Sequence, residues 1–236
     1  MVDQLPSIFD QYKSYINFYL KSGLDQKADS QLSGFKNNLY NILSYGMGWT
    51  DKSGNPVNIP CGKLLRPTLC LFATEASGGK TDKAIKTAIA LEYIHNFSLF
   101  HDDIQDQDEI RHHRPTVWFV WGKPKAITAG NVLRSIADVT LSDLLTSDIK
   151  HTDAVTISKT MTTGYLEMIE GQFLDLSYES RHDITVQEYL DMISHKTGAL
   201  IRCSMELGAH IGSGDNEVIE LFRESGRALG YLFQIT

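Results

Sequence analysis

Five of the eight residues from Asp102 to Glu109 are acidic, and His101, Arg111, His112, His113 and Arg114 flank them. On a helix, Asp102 and Asp106 stand one turn apart and share a face. Two like charges so placed repel, by a few tenths of about a kcal/mol on an exposed helix and by more in a cleft. A divalent cation between them removes the conflict. Magnesium takes hard oxygen ligands, typically one or two carboxylates together with substrate phosphates. A solvated acidic helix end has the same spacing, so the pair by itself does not separate the two readings. The approach to it does: residues 88–100, AIALEYIHNFSLF, are nearly all apolar. A buried helix that ends in carboxylates is expected to open into an enclosed cavity.

Cations of the right kind occur elsewhere. Lys63 and Arg66 in CGKLLRP stand three residues apart at a helix start, where backbone amides add partial positive charge. A surface Lys and Arg beside a turn would read the same way. Arg111 and Arg114 in RHHRPT can fork onto phosphate oxygens. His112 and His113 are adjacent and diverge on a regular element, which argues against a joint metal site and leaves them as conditional cations. Gln172 and Asp175 lie one turn apart in the mainly apolar EGQFLDL, and Lys196 and Thr197 lie in MISHKTGAL. A buried lysine requires a partner, which an anion would supply. His95 falls on the Asp102 face seven residues earlier, although a core histidine is the commoner explanation for such a position.

Helices must position these groups. The apolar spacing predicts them over 7–20, 32–46 (stopped by Gly46), 64–76, 81–106, 123–147, 152–178, 186–212 and 215–235. Thr185 and Glu188 have capping-box spacing at the start of the 186–212 helix. Residues 46–62, rich in Gly, Pro, Asn and Asp, read as a loop. The best strand candidate is the short PTVWFVW, 115–121. The fold class is all-α, a single domain over 1–236 with no repeat and no low-complexity segment.

Bulk properties bound the function. A chain of 236 residues, 42% hydrophobic and 22% charged, suits one large globular domain. The net charge of −7 argues against a general nucleic-acid partner, which needs a broad basic surface, while leaving room for a small anion held by local cations or metal. No apolar run reaches the roughly 18 residues of a membrane span, and the N-terminus lacks a secretory pattern. Cys61, Cys70 and Cys203 are odd in number without CxxC spacing, so a reduced, cytoplasmic setting is expected.

In chain order these pieces resemble the trans-isoprenyl diphosphate synthase (polyprenyl synthetase) family from about residue 60 onward. DDIQD (102–106) matches its first aspartate-rich motif, GKLLRP its GKxxRP, EGQFLDL its GQxxDL, and KTGAL its Lys-Thr stretch. LGYLFQ (229–234) matches the segment before its second aspartate-rich motif. The resemblance implies a helical bundle around a deep central cavity, the isoprenoid synthase fold, acting as a homodimer with magnesium. It implies condensation of isopentenyl diphosphate with an allylic prenyl diphosphate. Ionisation gives a carbocation, the homoallylic double bond attacks it, and a proton is lost, while metal and cations stabilise the departing pyrophosphate and apolar walls exclude water. By the same resemblance Asp102 and Asp106 ligate magnesium, with Asp103 included in support. Arg111 and Lys196 hold the allylic diphosphate, assisted by Thr197, Gln172 and Asp175. Lys63, Arg66 and His95 hold isopentenyl diphosphate, and Phe233 and Gln234 join the substrate-binding set.

Two departures from the family pattern stand out. Its usual second arginine after the aspartates is His112 here, leaving that contact to His112 or Arg114. The sequence also stops at FQIT, where the second aspartate-rich motif would begin, so a chain truncated before that motif and its following helices is expected. Phe97 and Ser98, the fifth and fourth residues before Asp102, resemble the chain-length positions of short-chain, geranylgeranyl- or farnesyl-type synthases. A class I terpene cyclase on the same fold, and a non-catalytic subunit of a prenyl synthase, are the competing readings.

Overall fold

The computed structural model describes residues 7–28, 33–57, 62–147 and 149–235. The helices are α1 (Ser7–Ala28), α2 (Ser33–Gly46), α3 (Leu65–Ala76), α4 (Thr81–Gln105), α5 (Val117–Trp121), α6 (Lys123–Ser142), α7 (His151–Tyr178), α8 (Val186–Ile193), α9 (Ala199–Gly212) and α10 (Asn216–Ile235). A two-residue hairpin, β1 (Ile110–Arg111) paired antiparallel with β2 (Arg114–Pro115), is the sheet among the described residues. The all-α class expected from the sequence is what the chain forms. Cys61 lies outside the described residues. No helix is long and apolar enough to cross a membrane, among the described residues.

Contacts gather into two compact units. The first comprises 1–64 and 92–139, the second 65–91 and 140–236, so α4 gives its first half to one and its second half to the other. In the first unit α1 buries Tyr12, Ile16, Leu20 and Leu24, a stripe repeating every four residues. The Tyr93 hydroxyl donates to the Leu20 carbonyl oxygen at 2.8 Å, tying α4 to α1. Gly46 does more than end α2. A Cβ there would stand 2.0 Å from Cζ of Phe100, so the ring that packs just ahead of the carboxylates requires the glycine.

The second unit is built on α9, whose main partners are α3 and α10. Leu69 and Ala73 of α3 meet Ile201 and Met205 of α9, with Leu65, Phe222 and Leu229 packed around them. Each large apolar side chain so buried contributes about 1.5–3 kcal/mol. The capping box at α8 is present: the Thr185 side chain accepts from the Glu188 N–H at 3.2 Å, and the Thr185 N–H donates to Glu188 Oε2 at 2.9 Å.

Four local expectations are corrected, the first being α1, expected over 7–20 and found over Ser7–Ala28. Only Pro115 of the proposed strand 115–121 is in a strand; Val117–Trp121 is a short helix. Its aromatic and β-branched residues favour a strand locally, but Trp118 and Trp121, three apart, would face opposite ways there. As a helix the segment sends Trp121 onto the Tyr45 ring (centroids 4.9 Å) and lets Trp118 Nε1 donate to the Asp108 carbonyl at 2.9 Å. The helix expected over 186–212 is interrupted by a π turn at Ser194–Gly198, and the one expected to reach 147 tightens into a 3-10 turn at Asp143–Thr146.

Candidate active site

In the first unit, α4 delivers the aspartates at its C-terminal end. Asp102 is partly exposed and Asp106 exposed, and the Asp106 N–H still donates to the Asp102 carbonyl at 2.8 Å, so helical spacing holds between them. Asp103 differs. Its side chain is 6% exposed, and Arg111 Nε donates to its Oδ1 at 2.5 Å. Burial pushes the Asp103 carboxyl above the usual aspartate range; Arg111 opposes that, while Asp108 and Asp106 add to it. An aspartate so enclosed is suited to orienting Arg111. Among the described residues no three His, Cys, Asp or Glu side chains are gathered to hold a metal ion by themselves.

Arg111 is placed by the hairpin. His112 and His113 form its two-residue turn with φ of 49° and 62°, the all-positive pattern of a type I′ turn, which favours Asn-Gly. Histidine tolerates this region better than most residues. Its surroundings fix the conformation through hydrogen bonds. The Tyr45 hydroxyl donates to the Pro115 carbonyl at 2.7 Å, and Arg114 donates to the Thr50 carbonyl at 2.6 Å with its guanidinium 4.2 Å from the centre of the Tyr45 ring. Thr116 Oγ1 and Trp118 Nε1 both donate to the Asp108 carbonyl, at 2.8 and 2.9 Å. Burial keeps the Tyr45 phenol up, against the pull of Arg114, so it remains a donor.

Other first-unit positions are quieter. His95 is partly buried, and its carbonyl accepts from Ser98 Oγ at 2.8 Å. The Phe97 ring meets His101 edge to face, 4.8 Å between centroids. His112 is exposed at the hairpin tip. Lys63 is exposed in the loop before α3, followed by buried Leu64 at φ 48°. The lysine is therefore outside the helix that carries Arg66.

In the second unit, Arg66 occupies the first turn of α3. Gln172 and Asp175 stand on α7, both partly buried, and Lys196 and Thr197 lie within the π turn. Lys196 Nζ is 2.5 Å from Asp175 Oδ2, which supplies the partner that the sequence demanded for this lysine. A second ion pair, Arg202 with Glu167, ties α9 to α7. Phe233 and Gln234 are exposed in the last turn of α10.

Sequence reasoning missed Tyr45, Thr116 and Trp118, which hold the hairpin, and the glycines that admit the π turn. Pro115-Thr116 directly follows Arg111-His112-His113-Arg114, but the aromatic and β-branched residues after it favour a strand locally over the return of a hairpin.

The described residues thus form a helical chain with an aspartate-terminated helix and an arginine-bearing hairpin in the first unit and a Lys-Asp pair on facing helical segments in the second. The solved polyprenyl synthetase of Streptomyces coelicolor superposes with a TM-score of 0.84 at 32% identity, covering 96% of this chain and 63% of that one. A polyprenyl synthetase family model matches residues 49–236, starting some way before the point at which the motifs become legible. The chain belongs to the polyprenyl synthetase family. It is 41% identical over 194 residues to a (2E,6E)-farnesyl diphosphate synthase of Mycobacterium bovis, covering 82% of this chain and 53% of that protein. It is also 41% identical over 177 residues to a geranylgeranyl diphosphate synthase of Saccharolobus solfataricus, covering 74% and 52%. The chain thus spans about half the length of the curated relatives it matches.

Proposed function

We propose that this chain carries the catalytic groups of a short-chain trans-prenyltransferase, which condenses isopentenyl diphosphate with an allylic prenyl diphosphate to give farnesyl or geranylgeranyl diphosphate. The observation that carries the reading is the division of labour in DDIQD. Asp102 and Asp106 stand one turn apart at the open end of α4, while Asp103 is buried on Arg111. Two carboxylates plus phosphate oxygens are a donor set that suits magnesium, so Asp102 and Asp106 fit the ion and Asp103 serves as its support. When bound, the ion would neutralise charge on the pyrophosphate as it leaves.

This chain's residues then have distinct tasks. Arg111, held by Asp103 and the hairpin, donates to diphosphate oxygens. Lys196, held by Asp175, does the same in the second unit, assisted by Thr197 next to it and by Gln172 of the Asp175 motif. Lys63, Arg66 and His95 are assigned to isopentenyl diphosphate, with His112 or Arg114 in place of the missing second arginine. Phe233 and Gln234 complete the substrate-binding set. The allylic C–O bond breaks with its electron pair leaving on pyrophosphate. The isopentenyl double bond forms the new C–C bond, and a proton is lost from the condensed chain. Phe97, braced against His101, and Ser98 are assigned to product length. The reading extends to a homodimer in a reducing cytoplasm, where the buried free thiols Cys70 and Cys203 would persist.

The test is incubation with magnesium, geranyl or farnesyl diphosphate and radiolabelled isopentenyl diphosphate, with sizing of the extracted products, on this chain and on any longer native chain that contains it. Labelled farnesyl or geranylgeranyl product is expected. Hydrocarbon formed from farnesyl or geranylgeranyl diphosphate without incorporation of label would overturn condensation in favour of cyclisation.

A further inference from the structure

The helix carrying Lys196 and Thr197 departs from α geometry where it reaches them. A π turn holds one residue more than the α turn it replaces and persists only where its surroundings favour it. Here the surroundings are two glycines on two other helices. A Cβ on Gly171 of α7 would lie 2.1 Å from the Lys196 backbone nitrogen and 2.6 Å from both the His195 carbonyl carbon and the Lys196 Cα. These are backbone atoms, so no side-chain rotation relieves the overlap. A Cβ on Gly230 of α10 would lie 2.7 Å from the Cα of Gly198, the last residue of the turn. Four residues beyond Gly171 on the same face of α7 stands Asp175, 2.5 Å from the Lys196 head group. One helix therefore fixes the lysine at both ends: its backbone at Gly171 and its ammonium at Asp175. The lysine side chain is still 27% exposed, so the head group remains within reach of a ligand.

We propose that Gly171 and Gly230 are positioning residues for the anion-binding groups of the second unit, seating the π turn so that Lys196 is presented beside Asp175. This rests on the diphosphate role assigned to Lys196 above, and it adds the backbone device that places it. In this view the glycine of EGQFLDL matters for where the lysine's backbone lies, and Gly230 of LGYLFQ does the same from the other helix.

Three variants test it: Gly171→Ala, Gly230→Ala, and deletion of Ser194, which restores α spacing while leaving α8 and α9 in register. In each background a double-mutant cycle between Lys196→Met and Asp175→Asn, read by urea unfolding, reports whether the lysine still meets its partner. Binding of inorganic pyrophosphate with magnesium is followed in parallel by calorimetry. The expected result is a measurable coupling in the unaltered protein and its loss in the variants. Pyrophosphate affinity should fall about tenfold or more, matching Lys196→Met, as one charge-assisted contact is displaced. Gly230→Ala meets a single Cα and is the mildest change, so it decides the matter if the other two fail to fold. Retention of the full coupling in any folded variant would overturn the proposal. Absence of pyrophosphate binding in the unaltered protein would instead sink the diphosphate reading, while the coupling cycle would still decide the role of the glycines.

Discussion

The hairpin in the first unit and the π turn in the second solve the same problem by different means. Each brings a cation to 2.5 Å from a carboxylate, Arg111 to Asp103 and Lys196 to Asp175. The hairpin is held by directional donors, namely the Tyr45 hydroxyl, the Arg114 guanidinium, Thr116 and Trp118. The π turn is held by backbone packed against two glycines. A loop fixed by hydrogen bonds should be sensitive to the loss of one donor and indifferent to an added methyl. A turn fixed by packing should behave the other way round.

The largest effect should come from removing the cations themselves. Arg111→Ala and Lys196→Ala are each expected to slow the proposed prenyl transfer about a hundredfold or more, since each removes a proposed donor to developing negative charge. Product assays would show it, and a normal rate in either variant would break the parallel between the two pairs. Next, Arg114→Ala should destabilise the fold by about 1.5–3 kcal/mol, through the lost charge-assisted bond to Thr50 and the lost stacking on Tyr45. Arg114→Lys should recover only part, because an ammonium cannot reproduce the planar contact. Urea midpoints would measure both.

Tyr45→Phe keeps the ring and removes one donor from the Pro115 carbonyl, for a loss of about 1 kcal/mol. If this substitution is neutral, the hairpin is held by packing and the contrast fails. His113→Gly should act in the opposite direction, raising stability by about 0.5–1 kcal/mol because glycine takes φ near 60° without strain. Thermal melts of the single variant would register that gain.

The smallest effect concerns the start of α8, upstream of the π turn. Thr185→Ala should lose about 0.5–1 kcal/mol with the capping box. The Thr185 backbone N–H foremost, with Arg181 and the Thr185 hydroxyl, holds the Glu188 carboxyl below the ordinary glutamate range. Glu188 therefore contributes stability above its unfolded pKa, and that contribution disappears as pH falls through the lowered value. An acid titration of the melting point in which Glu188→Gln matches the unaltered protein would show that the cap does not act through the Glu188 carboxylate.

The two regions also differ in how legible they were. KTGAL, EGQFLDL and DDIQD stand out because each places charged or polar residues in or beside an apolar helical stretch, while their proposed roles rest on the family resemblance. The partner of Lys196 was anticipated as an anion in a cavity, and in the fold Asp175 fills that place. The hairpin was hidden because His112-His113 is a poor turn signal: neither residue is Asn or Gly, and the conformation is imposed by Tyr45 and Arg114 across 69 or more residues of chain. The α5 helix was hidden for a related reason, since VWFVW prefers a strand locally and is turned into a helix by what Trp118 and Trp121 contact.

By itself the sequence determined the all-helical class, the ends of most helices, the Thr185–Glu188 cap and the side chains from which the proposed metal and diphosphate groups are drawn. These follow from side-chain chemistry and from periods spanning a few residues, which are local properties. Only the tertiary structure decided that Asp103 serves Arg111 while its neighbours Asp102 and Asp106 remain at the open end of α4. It also decided that the chain reverses at two histidines and that the helix carrying Lys196 widens into a π turn. Each of those outcomes depends on how closely backbones approach and which distant donor finds which carbonyl, and no window of adjacent residues contains that information.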